Sequence, residues 1–81
     1  MNAKAIQVRD THFDKVEITD WKLVRWLRAN GWDGEWTTAG NSNTFTRQDS
    51  YALAVVFYDN AKSTREVWLR REINETHKKE S

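Results

Sequence analysis

Residues 51–58 read Tyr-Ala-Leu-Ala-Val-Val-Phe-Tyr, and this run constrains the fold more than any other stretch of the chain. Tyr51, Leu53, Val55 and Phe57 share one strand parity. Ala52, Ala54, Val56 and Tyr58 share the other, smaller but also apolar. A strand that is apolar on both faces belongs inside a sheet, covered at least in part on each side. The flanking punctuation supports a strand. Gln48-Asp49-Ser50 precedes it as a turn and Asp59-Asn60-Ala61 breaks it.

Upstream, Trp32-Asp33-Gly34 is a turn and Glu35-Trp36-Thr37-Thr38 a short strand. Gly40-Asn41-Ser42-Asn43 is a reversal, because Gly and Asn tolerate positive φ. Thr44-Phe45-Thr46-Arg47 returns as the next strand. Residues 4–18 read as extended, Ile6 and Val8 alternating with Gln7 and Arg9. Asp10-Thr11-His12-Phe13-Asp14 is turn-like and Val16 and Ile18 resume the alternation, the pattern of a hairpin.

Residues 20–30 read as a helix. Thr19 stands at the cap position and Asp20 suits the positive end of the helix dipole. Asn30-Gly31 supplies the stop. At 100° per residue, Leu23, Val24 and Leu27 form an apolar arc, opposite Lys22, Arg25 and Arg28; Trp21 and Trp26 flank the basic arc. Ser63-Thr64-Arg65-Glu66 has the form of a capping box. It predicts a second helix over residues 64–78, with Glu66–Arg70 and Glu75–Lys79 pairs. Val67, Leu69 and Ile73 also share strand parity, so a strand over residues 67–73 is the alternative. Residues 77–81 are expected to fray.

Together these elements predict one α+β domain over residues 1–81, a small antiparallel meander sheet with two helices packed on one face, in the order β-α-β-β-β-α. Leu, Ile, Val and Phe number only 16 of 81 residues, so the core is small. Five Trp and two Tyr supplement it. Without Cys there is no disulfide framework, thiolate metal site or Cys nucleophile. No apolar run approaches a membrane span, and Met1-Asn2-Ala3-Lys4-Ala5-Ile6-Gln7 has no signal core. A soluble cytoplasmic protein is the expectation.

Residues 24–73 resemble the HicA-like toxin domain, a double-stranded-RNA-binding-type fold. The resemblance runs through Leu27-Arg28-Ala29-Asn30-Gly31-Trp32, then Gly40-Asn41-Ser42-Asn43-Thr44-Phe45, residues 51–58 and residues 67–73. It implies an α-β-β-β-α order. The family's Gly-Ser-His motif carries the histidine taken to cleave RNA. Ser42 stands in that place here with no histidine near it, so the resemblance implies the fold without the ribonuclease.

The remaining chemistry is sparse. His12 between Asp10 and Asp14 has the residue types of an oriented base or a metal ligand, but a solvated turn is the simpler reading. Ser42 has no His or Lys partner to activate it. No phosphate-binding glycine loop is present. The sequence thus points away from an enzyme, and from any cofactor or metal.

Charge is uneven along the chain. Residues 1–30 carry net +2, residues 31–61 net −3 and residues 62–81 net +2, within a total of +1. That balance is too even for a dedicated nucleic-acid binder. Two binding readings follow. In one, Lys22, Arg25 and Arg28 contact phosphates and Trp21 or Trp26 stacks on a base. In the other, placed slightly ahead, surplus tryptophans including Trp32 and Trp36 anchor a protein interface. Asp33, Glu35, Asp49 and Asp59 would then form an acidic edge able to dock on another enzyme's basic nucleic-acid groove. The second reading expects a non-catalytic inhibitor or adaptor, of the general build of small phage or mobile-element proteins, that acts by occlusion. Trp21, Lys22, Arg25, Trp26, Arg28, Trp32 and Trp36 are the partner-binding candidates of the two readings taken together.

Overall fold

The computed structural model describes residues 5–80. Residues 1–4 and Ser81 lie outside the described residues, and with them the first residue of the extended reading over 4–18, most of the segment examined for a signal core, and the last residue of the tail.

The chain is α+β: a six-stranded, wholly antiparallel sheet and two helices. The strands are β1 (Ala5–Val8), β2 (Thr11–Val16), β3 (Glu35–Ala39), β4 (Ser42–Thr46), β5 (Ala52–Asp59) and β6 (Thr64–Arg70). The helices are α1 (Asp20–Ala29), between β2 and β3, and α2 (Arg71–Glu80), after β6. The spatial order is β1-β2-β6-β5-β4-β3, so β3 to β6 form a meander and the N-terminal hairpin adds to its β6 side.

Two expectations about elements are corrected. The N-terminal hairpin exists, but its turn is Arg9-Asp10 alone, and Thr11–Val16 is strand. Arg9 takes the left-handed conformation, φ 58°. A two-residue hairpin turn needs that conformation, and Gly or Asn is its usual signal; neither stands here. The larger correction is at residues 64–78. Thr64–Arg70 is a strand, and the helix starts only at Arg71 and runs through Glu80, where fraying was expected. Ser63 is not a helix cap; it sits at φ 52° in the turn after Asp59, whose Oδ1 accepts the N–H groups of Ala61 and Lys62. The anticipated helical pairs give way to others. Glu66 meets Lys15 at 3.7 Å and Arg70 meets Glu72 at 3.1 Å. The cap signal was local. It lost to two ladders, since β6 pairs with β2 on one side and β5 on the other.

β5 occupies the interior of the sheet, as its two-sided apolar pattern requires. A bulge refines its faces. Phe45 pairs with Ala54 and Thr46 with Ala52, leaving Leu53 as the extra residue. Leu53 therefore joins Ala54 and Val56 beneath the helices, while Ala52, Val55 and Phe57 belong to the other face. Simple alternation had grouped Leu53 with Val55 and Phe57.

The main core lies between the sheet and both helices. Leu23, Val24 and Leu27 of α1 and Ile73 of α2 pack with Phe45, Leu53, Val56, Val67 and Leu69. Burying each such aliphatic side chain contributes roughly 1.5–3 kcal/mol. α1 starts after Thr19, whose backbone is extended but whose side chain makes no cap bond; Asp20 Oδ1 accepts the Trp21 N–H instead, at 2.9 Å. It ends at Asn30, with Gly31 at φ 86°. Gly34 is needed for close approach: a Cβ there would meet the Phe45 ring and the Thr46 carbonyl at 3.0 Å.

No helix covers the opposite face, yet Phe13 and Trp68 are 2% and 4% exposed there. They bury one another with Val55, against Ile6, Ala52 and Phe57. Val8 and Thr11 border the same cleft as Ser42 and Thr44, although three strands separate β1 from β4. The sheet therefore coils strongly, in line with the native strand twist, and covers part of its own second face.

A basic and aromatic corner as the candidate functional site

The amphipathic placement of α1 decides which of its residues reach solvent. With Leu23, Val24 and Leu27 turned to the core, Trp21, Lys22, Arg25 and Arg28 are exposed. Trp21 is 58% exposed, and its ring is covered by cations rather than by core. Arg25 Cζ stands 5.5 Å from the ring centroid and Lys22 Nζ 5.6 Å. β3 brings Trp36, 40% exposed, to the same corner, where it lies on the helix side of the sheet against Phe45 at 5.1 Å between centroids. Arg28 Cζ is 5.7 Å from that Phe45 ring. Trp21, Val24, Arg25, Arg28 and Trp36, with Asp20, line one cleft of about 540 Å³.

The electrostatics of the corner are simple. Among the described residues, Lys22, Arg25 and Arg28 make no ion pair. Asp20, the one carboxylate lining the cleft, is held at 3.0 Å by Arg65. Three cations beside two open indoles form a surface that attracts anionic groups and offers flat apolar area next to them.

The other two sequence candidates lie elsewhere. Trp26 is half-buried and meets His77 of α2 edge-on at 4.9 Å. Trp32 stacks on Tyr51 at 6.2 Å, beside Arg47. The acidic middle does not form one edge. Arg47 hydrogen-bonds Asp49 and, against the opposing effect of desolvation, holds its pKa at about 2. Asp59 closes the turn before β6, and only Asp33 and Glu35 share a cleft.

The polar candidates of the N-terminal half take structural partners. Asp14 accepts two bonds from Arg71, at 3.1 and 3.0 Å, and one from buried Asn74 at 3.1 Å. Burial tends to raise its pKa, but those hydrogen bonds and the charges of Arg71 and Lys78 outweigh burial and hold it below the ordinary carboxylate range. His12 thus stands beside a carboxylate committed to α2. Ser42 Oγ donates to the Ala39 carbonyl across the hairpin turn. Among the described residues no group of three or more His, Cys, Asp or Glu side chains is placed to hold a metal ion, and no helix is long and apolar enough to cross a membrane.

Sequence reasoning missed the contribution of β3 as an element. Its residues are exposed throughout and it ends the sheet. The strand order that leaves it at the edge has no local signature. No protein-family model, curated protein or solved structure matches the chain.

Proposed function

We propose that the chain is a non-catalytic binding protein, an inhibitor or adaptor, which presents the α1/β3 corner to a protein partner and acts by occluding it. The observation that carries this reading is the pairing of two exposed indoles with three cations that have no carboxylate among the described residues. Trp and Arg are the residues most enriched where interfaces concentrate their binding energy. The cation–π contacts of the corner are exposed and contribute only about 0.5–1 kcal/mol each to folding. The absence of a histidine near Ser42 and the commitment of Asp14 to α2 support a non-catalytic role. The split of the acidic groups favours the basic corner over an acidic edge as the docking surface.

The same unpaired cations beside open rings favour a second reading, in which the corner holds single-stranded nucleic acid by phosphate contact and base stacking. Nuclease treatment separates the two. The full chain and its Trp21→Ala variant are used to capture partners from host lysate, with and without nuclease. A protein retained by the native chain, lost with Trp21→Ala and insensitive to nuclease supports the occlusion reading. Loss of all Trp21-dependent capture on nuclease treatment, with the steep salt dependence of counterion release, supports the nucleic-acid reading instead.

A further inference from the structure

The corner is bordered by an open sheet edge. β3 is the terminal strand, all five of its residues are exposed, and among the described residues one side of its backbone has no neighbour in the sheet. Folded proteins guard such edges with Lys, Pro, bulges or a covering segment. Glu35-Trp36-Thr37-Thr38-Ala39 contains neither Lys nor Pro. Its pairing with β4 runs without a register break; the bulge lies one strand further in. Thr and Trp favour extended structure, so the edge is well formed, and within the strand its charged guard is Glu35, on the face away from the helices.

We infer that an extended acidic segment of the partner adds to β3 as a seventh strand, its alternate carboxylates facing Arg25 and Arg28 in the cleft between α1 and β3. This rests on the protein-binding reading above. Main-chain bonds to a sheet edge give affinity, and pockets for alternate side chains give specificity. Side chains on one face of an added strand recur about every 6.6 Å, so successive ones share the face that borders the cleft. Trp36 marks the face they share, because it points to the helix side. Glu35 and Thr37 have the opposite parity. Carboxylates on the helix side would make charge-assisted bonds to guanidiniums that have no other carboxylate among the described residues. Acidic residues on the other side would meet Glu35, so the acidic positions alternate with uncharged ones.

Charge also argues against a second copy of this chain as the occupant. Two β3 strands pairing antiparallel about a two-fold axis would place both α1 helices on the same side, with Lys22, Arg25 and Arg28 of each copy approaching those of the other. The opposite edge, β1, is not beside the cleft that Arg25 and Arg28 line.

The test uses the full chain and two ten-residue synthetic peptides, one alternating Glu with Val and one alternating Lys with Val, at equal millimolar concentration. Amide hydrogen exchange and the indole signals of Trp21 and Trp36 are followed. The Glu–Val peptide is expected to slow exchange of alternate β3 amides by about tenfold or more and to shift both indoles. Arg25→Glu with Arg28→Glu should weaken that effect at least about tenfold, equivalent to about 1.4 kcal/mol. Unchanged β3 exchange, equal protection by the Lys–Val peptide, or protection of β3 in a self-associated dimer each overturns strand addition. If strand addition is overturned while nuclease-insensitive capture still depends on Trp21, the corner binds protein by side chains alone. If that capture is also independent of Trp21, the functional reading itself falls.

Discussion

The α1/β3 corner and the opposite end of the sheet, where β2 and β6 meet α2, are built from the same residue types and use them in opposite ways. Each has a tryptophan and arginines, Trp68 lying on the sheet face away from α2. At the α2 end Trp68 is 4% exposed, Arg70 pairs with Glu72, and Arg71 pairs with Asp14. At the α1 corner Trp21 is 58% exposed, and Arg25 and Arg28 have no carboxylate partner among the described residues. One end spends its arginines and its indole on the fold. The other leaves them available. The number of Trp and Arg residues therefore says less about a surface than how many of them stay exposed and without a carboxylate partner among the described residues.

The largest expected effect tests the structural end. Trp68→Ala should destabilise the domain by about 3–5 kcal/mol, the usual range for truncating a buried aromatic, which is a large share of a small domain's stability. Trp68→Phe should cost far less, because the buried indole N–H has no hydrogen-bond partner to lose. Chemical denaturation would show both, and a Trp68→Ala midpoint close to the native one would break the contrast between the two ends.

Asp14→Ala comes next, at about 2 kcal/mol, since it leaves Asn74 and Arg71 without their shared acceptor. The same carboxylate sets an acid response. Its folded pKa is below the unfolded value, so its contribution is complete above the ordinary carboxylate range and is lost as pH falls through the folded pKa. Native stability should therefore decline with acid more steeply than that of Asp14→Ala. Parallel declines would show that the bond network contributes little.

At the other end the effects on folding should be small and those on binding large. Trp21→Ala should cost the fold less than about 1 kcal/mol, while weakening partner binding by about 2 kcal/mol if the ring is a hot spot. Smallest of all, Arg25→Ala and Arg28→Ala should each cost about 0.5 kcal/mol, since each loses an exposed cation–π contact but no ion pair. A stability loss at Arg25 comparable to that at Asp14 would mean the two ends are not different in kind.

Much of this contrast could be read in the sequence at α1 and little of it at α2. Helical periodicity placed Leu23, Val24 and Leu27 inward, Arg25 and Arg28 outward, and Trp21 and Trp26 alike beside the basic arc; the structure keeps this except that Trp26 is half-buried against the core. For Arg70 the sequence suggested a helical pair with Glu66. The structure pairs it with Glu72 instead, and Arg71 with Asp14. Asp14 is 57 residues away from Arg71 in the chain, and no local rule connects them. Trp36 at the site was legible only as a residue type in a short strand. Its convergence with Trp21 depends on which edge of the sheet β3 occupies.

By itself the sequence determined the α+β class, the first amphipathic helix with its basic outer arc and Asn30-Gly31 stop, the reversal at Gly40-Asn41 and the interior position of β5. All of these rest on contacts within a few residues, or on a hydrophobic period that one element carries alone. Tertiary structure decided the rest. Residues 64–70 became a strand because β2 and β5 both offered ladders to them, and Val67 and Leu69 complete the main core while Trp68 closes the other face. Leu53 changed sides because β4 and β5 slip by one residue at Phe45. β3 became an open edge because the N-terminal hairpin attached to β6. Each of these outcomes is a choice of pairing between segments distant in the chain, and the free energy that selects it does not exist until those segments meet.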